Sequence, residues 1–283
     1  MTDHASVVSG TTRVCGIIGD PIEHSLSPVL HNTAYAEMNL DRVYVAFRVP
    51  AGGASAAVDA MRVLDLAGVS VTMPHKEAAA EACDVLTPAA EALRSVNTLT
   101  PLGDGRVEGS STDGEGFLRA LGDAGVDPSG RSVLLLGTGG AARAIGHALG
   151  LAGAEVVVAG RRDEAAERVA ALAAGRSVPW EQRDQIAATV GLVVNATPIG
   201  MAGDSGFPVS AESLHRGQVV ADLVYHPLTT PLLAAAEAAG AQGVDGLGML
   251  LHQAALQIER WTGQIPPVAS MRAAAKASLK RAG

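Results

Sequence analysis

The sequence has few aromatic residues, only two cysteines and a low share of charged side chains. Phe, Trp and Tyr make up 3% of the 283 residues, so the core must be built from aliphatic side chains. Cys15 and Cys83 have no metal-ligand spacing, and we interpret both as reduced thiols of a cytoplasmic protein. Charged residues amount to 18% and hydrophobic residues to 48%, which excludes an intrinsically disordered chain.

Charge and hydropathy exclude several classes of partner. The formal net charge of −8 argues against a protein that coats nucleic acid or an anionic membrane surface. No run of about eighteen apolar residues occurs, so we expect no membrane span. The amino-terminal segment MTDHASVVSGTTR lacks the charged-then-apolar order of a secretory signal. We therefore expect a cytoplasmic protein with a small-molecule partner, and the sequence leaves open whether it is a monomer or a homodimer.

Short β-branched segments alternate with Ala-rich helical segments along the chain. This order predicts crossover units and mostly parallel sheets, and the length predicts two α/β domains. The turn 103–105, Gly-Asp-Gly, predicts a hairpin. Strands are predicted at 13–18, 43–49, 68–72, 96–100, 106–109, 132–136, 156–159, 192–196, 219–223 and around Val244. Helices are predicted from Ser27, at 54–66, after Pro74, from about 140 to 153, and at 163–173, 249–263 and 268–280.

Residues at two of the expected helix starts are typical of helix caps. Ser27 followed by Pro28 is typical of an N-cap and a first helical position. Asp163 is expected to cap the helix that begins beside it.

A glycine-rich turn, GTGGAA at 137–142, follows the predicted strand 132–136. Glycines let the backbone approach a pyrophosphate closely, and the N-terminus of the following helix supplies N–H groups and partial positive charge. Ala142 takes the third small position, where helix and strand pack closely. The expected cradle consists of Gly137, Thr138, Gly139, Gly140 and Ala141. A purely structural turn is the alternative for this motif alone.

Two arginines follow the next predicted strand. A site for NAD expects Asp or Glu about 20 residues beyond the glycine turn, to hold the ribose hydroxyls. Arg161 and Arg162 stand there instead. Guanidinium groups bind a 2′-phosphate through charge-assisted hydrogen bonds, whereas a carboxylate would repel it. The sequence therefore predicts NADP(H), with an ordinary surface arginine pair as the alternative.

Polar segments mark predicted strand ends in the first half. They are GDPIEHSLSPVLHN at 19–32 and GVSVTMPHK at 68–76. Ser25 and Ser27, beside a helix N-terminus, can hold a small carboxylate, although capping alone would explain Ser27. Lys76, taken singly, is typical of solvated surface. Further short motifs are VNT at 96–98, TDG at 112–114, NATP at 195–198, DLVYHP at 222–227 and GMLLHQ at 248–253.

Taken in order from about Val14 to Gln253, these motifs resemble the shikimate dehydrogenase family. The resemblance implies an N-terminal substrate-binding domain over 1–110, completed by C-terminal helices at 247–283. It also implies a Rossmann-type NADP-binding domain over 111–246, with the active site in the cleft between the domains. The implied reaction is the reversible NADPH-dependent reduction of 3-dehydroshikimate to shikimate, on the pathway to aromatic amino acids.

The resemblance also implies site residues. The catalytic pair falls on Lys76 and Asp113. Hydride arriving at a ketone carbon leaves negative charge on oxygen, which a lysine can neutralise or protonate while a carboxylate positions it. Which member carries the transferred proton stays open. The implied substrate-binding residues are Ser25, Ser27, Thr72, Lys76, Asn97, Asp113, Tyr225 and Gln253. The implied cofactor-binding residues are Gly137, Thr138, Gly139, Gly140, Ala141, Arg161, Arg162, Thr197 and Gly246, and no metal site is expected.

Some of these assignments depend on the ordered set of motifs. Taken singly, Thr72, Asn97 and Gln253 fit buried structural hydrogen bonds, and Tyr225 fits a packing aromatic equally well. Four positions depart from the common family pattern: Ser70, Ser111, Gly160 and Ala165.

Two alternative functions remain at this stage. One is the same chemistry on quinate or an aminated shikimate. The other is a non-catalytic NADP(H)-dependent sensor, against which the presence of both Lys76 and Asp113 argues.

Overall fold

The computed structural model describes residues 8–201 and 203–282, and the chain divides into two compact units. Unit 1 comprises Met1–Thr112 and Gln253–Gly283, and unit 2 comprises Asp113–His252. Residues 1–7, which begin the segment used to exclude a secretory signal, lie outside the described part. Within the described ranges, no helix combines the length and the apolar character needed to span a membrane.

Unit 1 contains a six-stranded sheet in which only one strand runs antiparallel to its neighbours. Its strands are β1 (Arg13–Gly19), β2 (Arg42–Arg48), β3 (Gly68–Val71), β4 (Val85–Leu86), β5 (Thr98–Pro101) and β6 (Val107–Ser110), in the order β2-β1-β3-β5-β6-β4. Strand β5 runs antiparallel to both of its neighbours, β3 and β6, and it pairs with β6 across the predicted turn 103–105. Strand β1 pairs in parallel with β2 and β3, and β4 pairs in parallel with β6. The prediction of a mostly parallel sheet is thus confirmed.

Four helices connect these strands, and the unit also contains the second part of one later helix and the whole of another. They are α1 (Ser27–Glu37), α2 (Ala54–Val63), α3 (Lys76–Glu81), α4 (Pro88–Leu93), α10 (Gly246–Thr262) and α11 (Val268–Ala282). On one face of the sheet, Val69 and Val71 of β3 pack in an aliphatic core with Val58 and Met61 of α2. The chain passes from unit 2 to unit 1 within α10, at Gln253.

Unit 2 contains a six-stranded, wholly parallel sheet of the Rossmann type. Its strands are β7 (Ser132–Leu136), β8 (Glu155–Gly160), β9 (Arg176–Pro179), β10 (Leu192–Asn195), β11 (Val219–Asp222) and β12 (Gln242–Val244), in the order β12-β11-β10-β7-β8-β9. Its helices are α5 (Asp113–Asp123), α6 (Gly140–Leu151), α7 (Asp163–Leu172), α8 (Arg183–Ala187) and α9 (Pro231–Ala238). The chain direction across the sheet reverses between β7 and β10, which is where doubly wound sheets bind ligands.

The apolar run of β7 follows from burial on both faces of this sheet. Val133 and Leu135 pack in a core with residues of α5, α6 and α7. Leu134 and Leu136 point the opposite way and pack with residues of α8 and α9. A strand covered on both sides has no polar face, so its sequence does not alternate.

Two predicted helix caps are wrong. Helix α1 begins at Ser27 itself, Leu26 occupies the N-cap, and no side chain caps the helix. The Ser25 hydroxyl instead accepts a hydrogen bond from Ser27 N–H at 3.3 Å. Helix α7 likewise begins at Asp163 with Arg162 at the N-cap. In that position the Asp163 carboxylate lies in the first turn, where the helix dipole favours negative charge.

Both cysteines are free thiols in unit 1. Cys15 is buried on β1, and Cys83 is half-buried after α3. Burial raises the pKa of both thiols, that of Cys83 to about 11. Such thiols are poor nucleophiles at neutral pH, so we assign neither a chemical role.

Candidate active site

In unit 1, the carboxyl ends of β1 and β3 are tied together by their backbones. Thr72 N–H donates to Ile18 O at 3.0 Å, and Asp20 N–H donates to Met73 O at 3.0 Å. The two polar segments that the sequence marks as candidate sites therefore converge at one edge of the sheet. Thr72 is half-buried at this edge.

Lys76 is the first residue of α3, directly after this edge. Its carbonyl accepts a hydrogen bond from Val96 N–H at 3.0 Å, which fixes the backbone on one side. The buried ring of His75 fixes the other side, because its Nε2 bonds Val49 O at 2.7 Å. The Lys76 side chain is half-buried. The sequence thus places an ammonium group on a rigid turn.

Ser25 and Ser27 lie at the start of α1. Ser25 is half-buried, and Ser27 is buried at 4% exposure. The Ser27 carbonyl bonds Nδ1 of His31, one turn along the helix, at 2.9 Å. Two hydroxyls beside the N-terminus of a helix can donate to a carboxylate, and the helix dipole favours that charge.

Asn97 and Gln253 are brought together in unit 1 through a threonine. The Asn97 Oδ1 accepts from Thr98 Oγ1 at 2.7 Å and from Thr112 N–H at 2.9 Å. The Asn97 Nδ2 donates to Thr112 Oγ1 at 2.9 Å. The Thr112 hydroxyl lies 3.1 Å from the carbonyl oxygen of Gln253 on α10 and donates to it. The Asn97 side chain and the Gln253 backbone therefore belong to one buried cluster, and the Gln253 side chain is buried on the same helix.

In unit 2, the glycine turn lies where the chain direction across the sheet reverses. Gly137 has a φ of +113°, and a Cβ there would lie 2.7 Å from Ala196 O, in the loop after β10. Gly137 N–H donates to Ala159 O of β8 at 2.9 Å. Gly139 is the N-cap of α6, which begins at Gly140. The first turn of α6 therefore presents unbonded N–H groups beside the ends of three strands, a site suited to phosphate.

The arginine pair follows β8, beside the same turn. A Cβ on Gly160 would lie 2.4 Å from Cγ2 of Thr138, so glycine at this position allows Thr138 to pack against the end of β8. Arg161 and Arg162 are both exposed. In the part of the chain that the structure describes, neither guanidinium forms a hydrogen bond or an ion pair. Both are available to an anionic ligand.

The loops after β10 and β11 are held by three buried polar side chains to which the sequence analysis gave no role: Asn195, Asp222 and Thr230. Thr197 Oγ1 donates to Asn195 Oδ1 at 2.6 Å, and Asn195 Nδ2 donates to Asp222 Oδ1 at 2.9 Å. The other Asp222 oxygen accepts from Thr230 Oγ1 at 2.7 Å. Burial raises the pKa of Asp222. The Thr197 hydroxyl thus orders its own loop.

Three further predicted residues lie in unit 2. Gly246 begins α10, and a Cβ there would lie 2.2 Å from Leu223 O, so no larger residue fits. Asp113 is the buried first residue of α5. Tyr225 is half-buried after β11, and burial raises its pKa. Unit 1 holds Ser25, Ser27, Thr72, Lys76, Asn97 and Gln253, and unit 2 holds Asp113, Tyr225 and all the predicted cofactor residues.

Comparison with known proteins identifies the family. A profile described as the shikimate dehydrogenase substrate binding domain matches residues 17–99, and one described as the shikimate 5′-dehydrogenase C-terminal domain matches 246–276. A shikimate dehydrogenase (NADP(+)) of Methanopyrus kandleri is 43% identical over 285 residues, which cover 96% of this chain and 98% of that protein. The chain belongs to the shikimate dehydrogenase family.

Two solved structures show how far the similarity extends. The shikimate 5-dehydrogenase of Thermus thermophilus, in complex with NADP(H) and shikimate, is 36% identical with a TM-score of 0.87, over 94% of this chain and 99% of that one. A quinate dehydrogenase of Corynebacterium glutamicum, in complex with NAD, is 29% identical with a TM-score of 0.89, over 94% and 99%. A shikimate dehydrogenase and a quinate dehydrogenase share this fold. Individual side chains, and not the fold, must therefore determine which acid such a protein uses.

Ser70, a departure from the common shikimate dehydrogenase pattern, has defined partners here. Its Oγ accepts from the Tyr44 phenol at 2.6 Å and donates to Oε1 of Gln257 at 2.8 Å. Gln257 was not predicted as a site residue. The signal in the sequence was its spacing: Gln253 and Gln257 are four residues apart, on one face of a helix.

His31 gives a pH-dependent stability that can be measured. Its ring is fully buried and stacks on Tyr44 at a centroid distance of 3.9 Å, and burial lowers its pKa from 6.5 to about 4. Below pH 6.5 the unfolded chain binds a proton that the folded protein excludes. The stabilisation is therefore complete above pH 6.5 and falls as the pH drops towards 4, by up to about 3 kcal/mol.

Urea unfolding between pH 7 and 5 tests this expectation, with the variant His31→Phe as comparison. Phenylalanine keeps a stacked ring but has no titrating nitrogen. As the pH falls, the wild type should lose stability relative to the variant. The free energy of unfolding of the wild type minus that of the variant should therefore become steadily lower. A difference that stays constant across this range would contradict a neutral, buried His31.

Proposed function

We propose that this protein catalyses the reversible, NADP-dependent reduction of 3-dehydroshikimate to shikimate. The observation that carries the proposal is that one chain holds two complementary sets of groups. Unit 1 holds Lys76 and the hydroxyl and amide side chains assigned to the substrate, and unit 2 holds a helix N-terminus suited to phosphate and, beyond it, two arginines. Named relatives with this activity, over nearly the whole chain, support it.

The side chains of unit 1 fit a hydroxylated ring acid. We assign the substrate carboxylate to the hydroxyls of Ser25 and Ser27, and the ring hydroxyls to Thr72, Asn97 and Gln253. A buried polar group left without a partner costs about 1–3 kcal/mol, so this set favours a ligand rich in donors and acceptors. Tyr225 is a proposed further contact to the carboxylate.

Lys76 is the proposed acid–base group. As the ketone oxygen gains negative charge, the ammonium of Lys76 can donate a hydrogen bond and then a proton to it. The rigid turn that carries Lys76 limits the motion needed to reach that position. We propose Asp113 as the carboxylate that accepts a hydrogen bond from a substrate hydroxyl.

The residues of unit 2 fit a phosphorylated dinucleotide. The first turn of α6 would hold the pyrophosphate, and Arg161 and Arg162 would hold a 2′-phosphate. Bound NADP(H) supplies or accepts the hydride. Gly137, Thr138, Thr197 and Gly246 shape the loops around this site, through the contacts described above.

Absorbance at the reduced-nicotinamide band tests the proposal directly. Purified protein is incubated with NADP⁺ or NAD⁺ and with shikimate or quinate. We expect the highest kcat/KM with NADP⁺ and shikimate. Higher kcat/KM with quinate would assign the protein to the other substrate class. Tight NADPH binding without turnover of either acid, or of an aminated shikimate, would favour a sensor.

The arginine pair gives a prediction about cofactor choice. Replacing Arg161 and Arg162 with alanine should raise KM for NADP⁺ by about 10–100-fold, because the solvent-exposed, charge-assisted hydrogen bonds of the pair together contribute on the order of 1.5–3 kcal/mol. KM for NAD⁺ should change little, since NAD⁺ has no 2′-phosphate. Arg168→Ala, at an exposed arginine on α7, is the matched control. An equal rise in KM for both cofactors would show that Arg161 and Arg162 do not bind the 2′-phosphate.

A further inference from the structure

A chain of buried hydrogen bonds crosses unit 1 beneath the proposed substrate residues. The Tyr44 phenol donates to Ser70 Oγ at 2.6 Å, and Ser70 Oγ donates to Gln257 Oε1 at 2.8 Å. Gln257 Nε2 then donates to Asn97 O at 3.2 Å and lies 3.1 Å from Thr98 Oγ1. Tyr44, Ser70, Thr98 and Gln257 are all buried. Burial separates these groups from bulk solvent, so each bond between them matters for satisfying their polar atoms.

The direction of these bonds is fixed along the whole chain. Because Ser70 donates to Oε1 of Gln257, the Gln257 amide nitrogen must face β5. The Thr98 hydroxyl accepts from that nitrogen, and it gives its single proton to Asn97 Oδ1 at 2.7 Å. The same Asn97 Oδ1 also accepts from Thr112 N–H. The Thr112 N–H fixes which end of the Asn97 carboxamide carries the oxygen, and Gln257 adds a second donor to that oxygen by orienting the Thr98 hydroxyl.

We propose that Gln257 is a positioning residue for substrate, acting through Thr98 on Asn97. The inference rests on the proposed function, in which Asn97 contacts a ring hydroxyl. Gln257 itself touches no substrate group in this assignment. Its amide holds the Thr98 hydroxyl so that the Thr98 proton goes to Asn97 Oδ1, and this bond restrains the position of the side chain that faces the substrate.

A double-mutant cycle tests the proposal. Gln257→Met keeps the length of the side chain and removes its hydrogen bonds, and Asn97→Ala removes the group on which it acts. In the wild-type background, Gln257→Met should lower kcat/KM for shikimate by about tenfold, mainly through KM, as expected for coupled neighbours. In the Asn97→Ala background the same substitution should change kcat/KM by less than about twofold. Equal losses in both backgrounds would overturn the proposal.

A matched control separates positioning from general stability. Gln218 is a buried glutamine of unit 2 whose Nε2 also donates twice, to Ala187 O at 2.7 Å and Val190 O at 3.0 Å. Gln218→Met should lower the melting temperature and leave KM for shikimate unchanged. A loss of melting temperature without a change in KM for Gln257→Met would show that Gln257 is only structural.

Two further measurements keep the outcome decisive. Thr98→Val removes the connecting hydroxyl with little change of shape, so it should reproduce the KM effect if Gln257→Met does not fold. Calorimetric titration with shikimate measures affinity without turnover. Wild-type protein that binds shikimate but does not oxidise it would overturn the proposed function, while the Kd values of the cycle still decide the role of Gln257. Wild-type protein that does not bind shikimate would overturn both.

Discussion

Replacing Lys76 with alanine should lower kcat for shikimate oxidation by about 10²–10⁴-fold, with KM changed by only a few-fold. Removing a positioned acid–base group typically costs this much, because its proton is needed in the transition state and hardly in the bound ground state. The substitution keeps the backbone bond from Val96 N–H to Lys76 O, so the turn after β3 should persist. Steady-state kinetics with saturating NADP⁺ measure both constants.

The control for Lys76 is a lysine with the same charge in another place. Lys276 is exposed on α11, and Lys276→Ala changes the net charge by the same amount. Its kcat should equal that of wild type. Circular dichroism of Lys76→Ala should match wild type, since the side chain is only half-buried. An unchanged kcat in a folded Lys76→Ala protein would remove the lysine from the mechanism.

Much of the sheet of unit 2 could be predicted because its sequence agrees with its structure around β7, although β9, α5, α8 and α9 were not predicted. After its first residue, Ser132, strand β7 consists only of Val and Leu, because both faces of the strand are covered. Gly137, directly after it, coincides with a positive φ and a close approach to the backbone of Ala196. The alternation of strands and helices predicted crossover units and parallel strands, whereas the order of the strands in the sheet came only from the structure.

Short elements escaped prediction because little local signal defines them. Strand β4 has two residues, and helices α4 and α8 have six and five. Helices of this length are marginal by themselves and form through tertiary packing. The longer α5 was also missed: glycines at its second and fourth positions lower its intrinsic propensity. Packing of Phe117 and Leu121 in the core outweighs that cost.

The buried polar chain of unit 1 shows a second limit. Ser70, Tyr44 and Gln257 are far apart in sequence, and each is common in unrelated settings. Only the fold reveals that their hydrogen-bonding groups meet. The ordered motifs predict Asn97 and Gln253 as site residues, whereas Gln257 offers only its spacing from Gln253. Motifs identify groups that contact a ligand more readily than the groups that orient them.

Alanine substitutions at two glycines of the cofactor turn, Gly137 and Gly139, should have different effects on stability and on cofactor binding. Gly137 has a φ of +113°, and its Cβ would lie 2.7 Å from Ala196 O, so Gly137→Ala strains the backbone and displaces the loop after β10. We expect a loss of stability of about 2–4 kcal/mol, measured by urea unfolding. Gly139 has a φ of −77°, and a Cβ there meets no atom within 4 Å. Gly139→Ala should therefore fold with nearly wild-type stability.

The open space beside Gly139 is where the pyrophosphate is proposed to approach the first turn of α6. A methyl group there costs the fold nothing but holds the phosphate away from the backbone N–H groups. Gly139→Ala should thus raise the Kd for NADPH by at least about tenfold, measured by fluorescence titration, at an unchanged melting temperature. If Gly139→Ala binds NADPH as wild type does, the dinucleotide does not lie against this turn. If it unfolds as readily as Gly137→Ala, the turn is a structural element only, since binding and folding would then depend on the same contacts.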